Sequence, residues 1–270
     1  MRVGIITGTG TYELPFLEVA ERRRVVTPFG EVTVNIGEHA GKEVVHIPRH
    51  GPRHEYLPHQ INHRANIWAM REMGVKFVFA TTVCGVVDPN VPLGRPILFD
   101  DLFFPENRLG DGSPCTFFLQ PADPRRGHYI FSRPFSQSLR ERIGATLEAL
   151  GLEYEPEGVY GHVFSPRFSS RAEVRLLSML GVKAISQTAG PEAVLCGELE
   201  IPYALLGFGV DYANGVVPEP TPVEELEANL GRSKGVFSEV IRALLERDDL
   251  DGVSFDSGTV FRFEREGGEG

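Results

Sequence analysis

Cysteine is scarce in this chain. Cys84, Cys115 and Cys196 are its only three, an odd and widely spaced set. They form neither a disulfide framework nor a zinc-binding pattern, and such sparse use suits a reducing compartment. Long apolar runs are also missing. No stretch approaches the roughly 18 consecutive apolar residues that a membrane-spanning helix requires. The opening MRVGIITGTG lacks a basic segment followed by a long apolar one, so a secretory signal is not expected. Basic residues are outnumbered, 27 Lys and Arg against 37 Asp and Glu, for a net charge of -10. That balance argues against nucleic acid or an anionic membrane as partner. No repeat or linker-like segment divides the chain. The expected setting is cytoplasmic.

What the chain has is an ordinary apolar fraction of 41%, enough for a substantial core. Thirty glycines and twenty prolines call for many tight turns. Residues 2–6 read as a buried strand that ends in Thr7-Gly8-Thr9-Gly10. Val25–Val26 and Val32–Ile36 flank a turn and read as a hairpin. Further strands are expected at Val44–Ile47, Lys76–Thr81, Pro96–Phe99, Val159–Phe164, Val182–Ile185 and Ala204–Val210. Helical spacing marks Pro58–Met73, with Ile61, Ala65, Trp68 and Ala69 on one face and Gly74 as the stop. Ser136–Leu150 and Pro191–Gly197 also read as helices. Ser170 and Glu173 form a capping box for a helix reaching Leu180. A long helix is expected over Thr221–Arg247, capped by Thr221. Residues 104–134 show no period and read as a surface excursion. Alternating strands and helices indicate an α/β fold. The reading is one domain over residues 1–263, a central, mixed, twisted sheet flanked by helices, with a frayed tail over 264–270.

Four segments share one layout, a strand running into small hydroxyl and glycine residues: Thr7–Gly10, Arg49–Gly51, Thr81–Gly85 and Ser186–Gly190. Ligands in open α/β sheets collect at the carboxyl ends of strands. Exposed amides, threonine hydroxyls and an arginine would make a nest for a phosphate-sized anion. Five of the eight histidines, His46, His50, His54, His59 and His63, lie within eighteen residues, interleaved with Arg49, Arg53 and Arg64. Such a run suits an anion, a metal or neither. Pro48, Gly51, Pro52 and Pro58 forbid one helix through it. HExxH and HxH patterns are lacking, and the arginines would repel a dication, so no metal site is expected.

The stretches GIITGTG (4–10), TPFGE (27–31), PRHGPRHEYLPHQINHRANIWAMREMGV (48–75), TTVCG (81–85), SPRFSSRAE (165–173), PEAVL (191–195) and VDYANG (210–215) occur in one order. Together they resemble the trimeric purine nucleoside phosphorylase and methylthioadenosine phosphorylase family, over residues 3 to about 245. The resemblance implies phosphorolysis: phosphate attacks C1′ of a purine nucleoside and releases the free base. By motif position it implies Thr9, Arg49, His50, Thr82 and Thr188 as phosphate contacts, with Val83 adding a backbone contact. Asp211 would face the purine; Asp211 and His50 are the implied catalytic residues. Gln187, Ser169, Phe168, His54, Ala213, Asn214 and Val223 are the implied nucleoside contacts. The family uses no metal and no organic cofactor, phosphate being a co-substrate, and assembles as trimers or dimers of trimers.

The chain departs from the family at the base. Where methylthioadenosine enzymes read D-Y-D or D-V-D, it has Asp211-Tyr212-Ala213-Asn214, without the second acid that helps recognise a 6-amino group. Val223 stands where 6-oxopurine enzymes carry histidine, and Ser169 where they carry glutamate. Both favour the methylthioadenosine branch, since an apolar residue leaves a 5′-hydroxyl unpaired. Gln187 replaces a methionine that packs on the ribose. Ser165 and Thr7 replace glycines. The expected substrate is S-methyl-5′-thioadenosine, with 6-oxopurine nucleosides, methylthioinosine among them, as the alternative and an inert nucleoside-binding protein as the rival.

Overall fold

The computed structural model describes residues 1–164 and 166–262. The expected tail and Ser165 lie outside them. Strand β1 (Arg2–Thr7) alternates its faces: Val3 and Ile5 enter one core cluster, Ile6 the other. β2 (Glu18–Thr27) and β3 (Gly30–His39) form the hairpin, longer than its apolar residues suggest, because β2 is mostly exposed. β4 (Lys42–Pro48) follows.

The helix expected over Pro58–Met73 is interrupted. A single 3-10 turn covers Pro58–Gln60, and α1 (His63–Glu72) starts afresh. Asn62 caps it, its side chain accepting from the Ala65 amide at 3.0 Å. β5 (Val78–Val86) runs straight through the segment expected to be a loop. β6 (Pro96–Leu98) and β7 (Asp101–Phe103) are short.

The excursion over 104–134 is not wholly superficial. Leu109, Cys115 and Phe117 are buried in the core, and Arg64 ties the segment down by donating to the Thr116 and Pro114 carbonyls. It also contains β8 (Gly127–Phe131), which pairs antiparallel with the last strand. Helix α2 (Gln137–Ala149) and strand β9 (Val159–His162) come next. α3 (Arg171–Met179) has its capping box: the Ser170 hydroxyl accepts from the Glu173 amide, and the Glu173 carboxylate accepts from the Ser170 amide. β10 (Val182–Ser186), α4 (Ala189–Glu198) and β11 (Tyr203–Tyr212) then lead to α5 (Val223–Leu245). Pro222, not Thr221, is the cap of α5; the Thr221 hydroxyl accepts instead from the Tyr212 amide at 3.0 Å. β12 (Gly258–Arg262) closes the described chain.

Ten strands make one mixed sheet, in the order β2-β3-β4-β1-β5-β10-β9-β7, with β11 and β6 joined through β5. One core cluster brings α1 and α4 residues such as Ile67, Trp68 and Leu195 together with Ile6, Val45 and Val78. A second does the same for α2 and α5, through Leu139, Ile143, Phe237 and Ile241 against Val3, Ile5 and Phe79. Each such side chain stabilises the fold by about 1.5–3 kcal/mol relative to exposure. The result is the α/β architecture expected, a central mixed sheet flanked by helices.

Candidate active site

Strand β5 changes neighbours along one edge. Its other edge pairs with β11 from Val78 to Val86. On the changing edge, parallel β1 covers Val78–Ala80, and antiparallel β10 covers only Gly85 and Val86. Between them Thr81–Cys84 meets no strand, and the sheet forks. The loop after β1, the turn after β4 and the end of β10 all enter that fork. Arg49 is anchored there by its own amide, which donates to the Thr7 carbonyl at 3.0 Å.

A cavity of about 450 Å³ opens from the fork. At one end it is lined by Thr9, His50, Thr82, Val83 and Thr188. At the other lie Ser169, Gln187, Asp211, Ala213 and Asn214, with Phe168 and His54 also on the wall. Twelve of the fourteen residues expected at the site line this cavity, and two do not. Arg49 and Val223 do not line the cavity among its described residues.

Arg49 is turned inward. Nε and Nη2 donate to the two Glu192 carboxylate oxygens at 2.6 and 3.0 Å, and Nη1 donates to the Thr81 carbonyl at 2.6 Å. Both side chains of the pair are essentially fully buried. Tyr203 adds its hydroxyl, donating to Glu192 at 2.8 Å. An ion pair removed from water is tolerated when its remaining donors and acceptors are satisfied, as here. Val223, at the first position of α5, is 63% exposed. Leu226 and Leu230, one and two turns further on, reach the cavity instead. Their i,i+4 spacing was the signal available in the sequence; Val223 was singled out instead by its motif position.

His50 has a fixed tautomer. Nδ1 lies 2.9 Å from the Tyr56 carbonyl, which can only accept, so Nδ1 carries the hydrogen. Burial lowers its pKa to about 4, with the nearby Arg49 and His54 acting in the same direction. Its ring stacks on His54, centroids 4.5 Å apart. His54 has φ 58°, and its Nδ1 sits 2.7 Å from the Tyr12 hydroxyl. An unusual backbone conformation for a non-glycine residue is thus held by contacts to both flanking loops. His46, His59 and His63 line no part of this cavity. His46 lies beneath it, its Nε2 2.8 Å from the Thr7 hydroxyl.

Thr188 precedes α4, whose amino end faces the fork. A helix amino terminus offers free amides and partial positive charge to an anion. At the far end, desolvation raises the Asp211 pKa to about 6. Asn214 is oriented by donating from Nδ2 to the Ser169 carbonyl at 2.8 Å. Gln187 donates likewise to the Arg167 carbonyl at 2.9 Å. Apolar Val163, Val174, Ile185, Val210, Leu226 and Leu230 complete the wall. Cys84 also touches the cavity, but burial raises its pKa and keeps it a thiol. Among the described residues no group of three or more His, Cys, Asp or Glu is placed to hold a metal ion. Nor is any helix long and apolar enough to cross a membrane.

The profile of the phosphorylase superfamily matches residues 2–246. A probable 6-oxopurine nucleoside phosphorylase of Thermococcus kodakarensis is 37% identical, over 84% of this chain and 86% of its own. A probable S-methyl-5′-thioinosine phosphorylase of Pseudomonas syringae is 34% identical, over 88% and 98%. The S-methyl-5′-thioadenosine phosphorylase of Hyperthermus butylicus is 33% identical, over 92% and 90%. Among solved structures, a Schistosoma mansoni methylthioadenosine phosphorylase bound to adenine superposes with a TM-score of 0.81. It covers 91% of each chain at 23% identity, a likeness of fold.

Proposed function

The chain belongs to the phosphorylase superfamily and is a purine nucleoside phosphorylase, and from that premise we propose that it cleaves S-methyl-5′-thioadenosine with phosphate. The products are adenine and 5-methylthioribose 1-phosphate. One observation carries the proposal: a single cavity joins a hydroxyl-lined, helix-capped anion end to a carboxyl whose pKa is lifted by burial, with an apolar wall between them.

The roles follow from chemistry. Breaking the N-glycosidic bond leaves positive charge on the sugar. Phosphate held by Thr9, Thr82, Thr188 and the Val83 backbone stabilises that charge and then bonds to C1′. The electrons of the broken bond leave with the purine, which needs a proton or hydrogen bond at N7. Asp211, held partly protonated, supplies it. His50 sits against the phosphate, and Phe168, His54 and Gln187 bound the sugar. Leu226 and Leu230 favour an apolar 5′-methylthio group over a hydroxyl.

A second reading concerns the base. Ala213 offers no acceptor to a 6-amino group, and the Asn214 Oδ1 suits the N1–H of a 6-oxopurine equally well. Methylthioinosine would satisfy both ends of the cavity. An absorbance assay with methylthioadenosine, methylthioinosine and inosine, each with and without phosphate, separates the readings. Cleavage that ignores phosphate sinks both. Stabilisation by nucleoside without base release would favour the inert binding protein.

We assign the enzyme no cofactor beyond the phosphate co-substrate, a cytoplasmic setting, a role in purine salvage and a homotrimeric assembly. The assembly is supported by α3 and its C-cap, where Leu176, Met179 and Leu180 form a second apolar stripe, 50–79% exposed, close to the cavity wall.

A further inference from the structure

We infer that the anion end of this site takes phosphate as its doubly protonated monoanion, through two hydrogen-bond acceptors, His50 Nε2 and Thr82 Oγ1. The inference deepens the phosphorolysis reading and rests on it.

The first acceptor follows from the tautomer. With its hydrogen committed to the Tyr56 carbonyl, neutral His50 turns a lone pair, not a hydrogen, toward the cavity. The second follows from a hydrogen-bond chain with one satisfying direction. The Ala189 amide donates to the Tyr160 hydroxyl at 3.1 Å. Tyr160 lies 2.7 Å from the Ser186 hydroxyl, which lies 3.0 Å from that of Thr82. Thr82 donates to the Val83 carbonyl at 3.2 Å, and a carbonyl can only accept. Every hydroxyl hydrogen is used if Tyr160 donates to Ser186 and Ser186 to Thr82. Thr82 then has no hydrogen left for a ligand, but keeps a lone pair. Two acceptors on the wall ask for two P–OH groups. The monoanion has two; the dianion has one.

Charge agrees. The Arg49 guanidinium is neutralised by Glu192 and stands outside the cavity lining. The groups that face His50 are that pair, the stacked His54 and, behind it, Tyr12; His63 lies on the far side of Glu192, its Nδ1 4.0 Å from the carboxylate. The exposed Lys234 of α5 packs beside Gly10 and is not part of the lining. The remaining attraction is the amino end of α4, worth about half a unit charge. That suits one negative charge better than two. The step balances: C1′–N breaks, C1′–O forms, one phosphate hydrogen stays on the sugar phosphate and the other balances the proton gained by the purine.

The test is the KM for phosphate of the wild-type enzyme at saturating nucleoside, followed across the second ionisation of phosphate. Only the competent fraction binds, so KM in total phosphate should rise about tenfold per pH unit above that ionisation. KM rather than kcat is followed, because Asp211 at the other end of the cavity titrates near the same window. Sulfate, a dianion of the same shape with no hydrogen to donate, should compete weakly at every pH. In Glu192→Gln, Arg49 is no longer neutralised; the rise of KM with pH should flatten and sulfate should compete better. A wild-type KM that is flat or falls with pH, with sulfate competing as well as phosphate, overturns the inference while leaving phosphorolysis standing. Cleavage without any dependence on phosphate overturns both, and is distinguished because no phosphate KM then exists.

Discussion

Asp211 shows how burial sets one residue to work against the fold that holds it. Its folded pKa is raised, from 3.8 to about 6, by desolvation. Below the unfolded value the group is neutral in both states and costs nothing. The cost of burying its charge grows as pH rises and is complete above about 6. Two pKa units correspond to roughly 3 kcal/mol, an order-of-magnitude figure. Asp211→Asn should therefore raise the denaturation midpoint at neutral pH while lowering kcat, because the amide has no acid proton to give. In the wild type, kcat should fall as pH climbs through about 6. Equal kcat in the variant would move the proton elsewhere. At Arg49 the expectation is of a different kind. Removing either partner strands a buried charge, so Arg49→Ala and Glu192→Ala should each cost about 3–5 kcal/mol in denaturant titrations. The double replacement Arg49→Met with Glu192→Leu should cost less than either. Motif position identified Arg49 as important, but could not show where the guanidinium points. That depends on Glu192, 143 residues away.

Elements carry the geometry of the fork. Gly8 has no room for a side chain: a Cβ there would sit 2.5 Å from Arg49 Nη1, which Glu192 and Thr81 hold in place. Gly8→Ala should shift the loop after β1 and raise KM for phosphate by about 10- to 100-fold, leaving KM for nucleoside nearly unchanged. On α5, Leu230→Gln should lower the preference for 5′-methylthio over 5′-hydroxyl substrates by about tenfold or more, read as a ratio of kcat/KM values. Much of this level was legible in the sequence. Periodicity located α2 and β1, and the Ser170 capping box located α3. Three features were not. Thr81–Gly85 has turn-like composition, yet pairing with β11 holds it in a strand. Apolar spacing reads smoothly through Pro58–Asn62, where the chain in fact breaks its helix. The β8–β12 ribbon joins segments some 130 residues apart, a pairing no local pattern reveals.

At the scale of the whole molecule, the reaction was more legible than the substrate. Short motifs in a fixed order carried the family, while the choice between 6-amino and 6-oxo purines turns on Ala213 and Asn214 alone. The proposed trimer would bury the exposed stripe on α3, Leu176, Met179 and Leu180. Met179→Glu should shift the sedimentation equilibrium from trimer toward monomer and reduce activity at low enzyme concentration. Unaltered sedimentation would place the interface on another face. The forked sheet has a further consequence. Part of the cavity floor, Thr82–Gly85 with Val210 and Asp211, is strand backbone in the ladder between β5 and β11, whereas the wall at Pro166, Phe168 and Ser169 belongs to a connecting segment. In deuterated solvent the floor amides that bond to β11 should exchange only through global opening of the fold, on the slowest timescale the protein has. The amides of the wall should exchange orders of magnitude faster and slow when nucleoside binds. The anion would then meet a surface as rigid as the core, and the sugar and base one that closes around them.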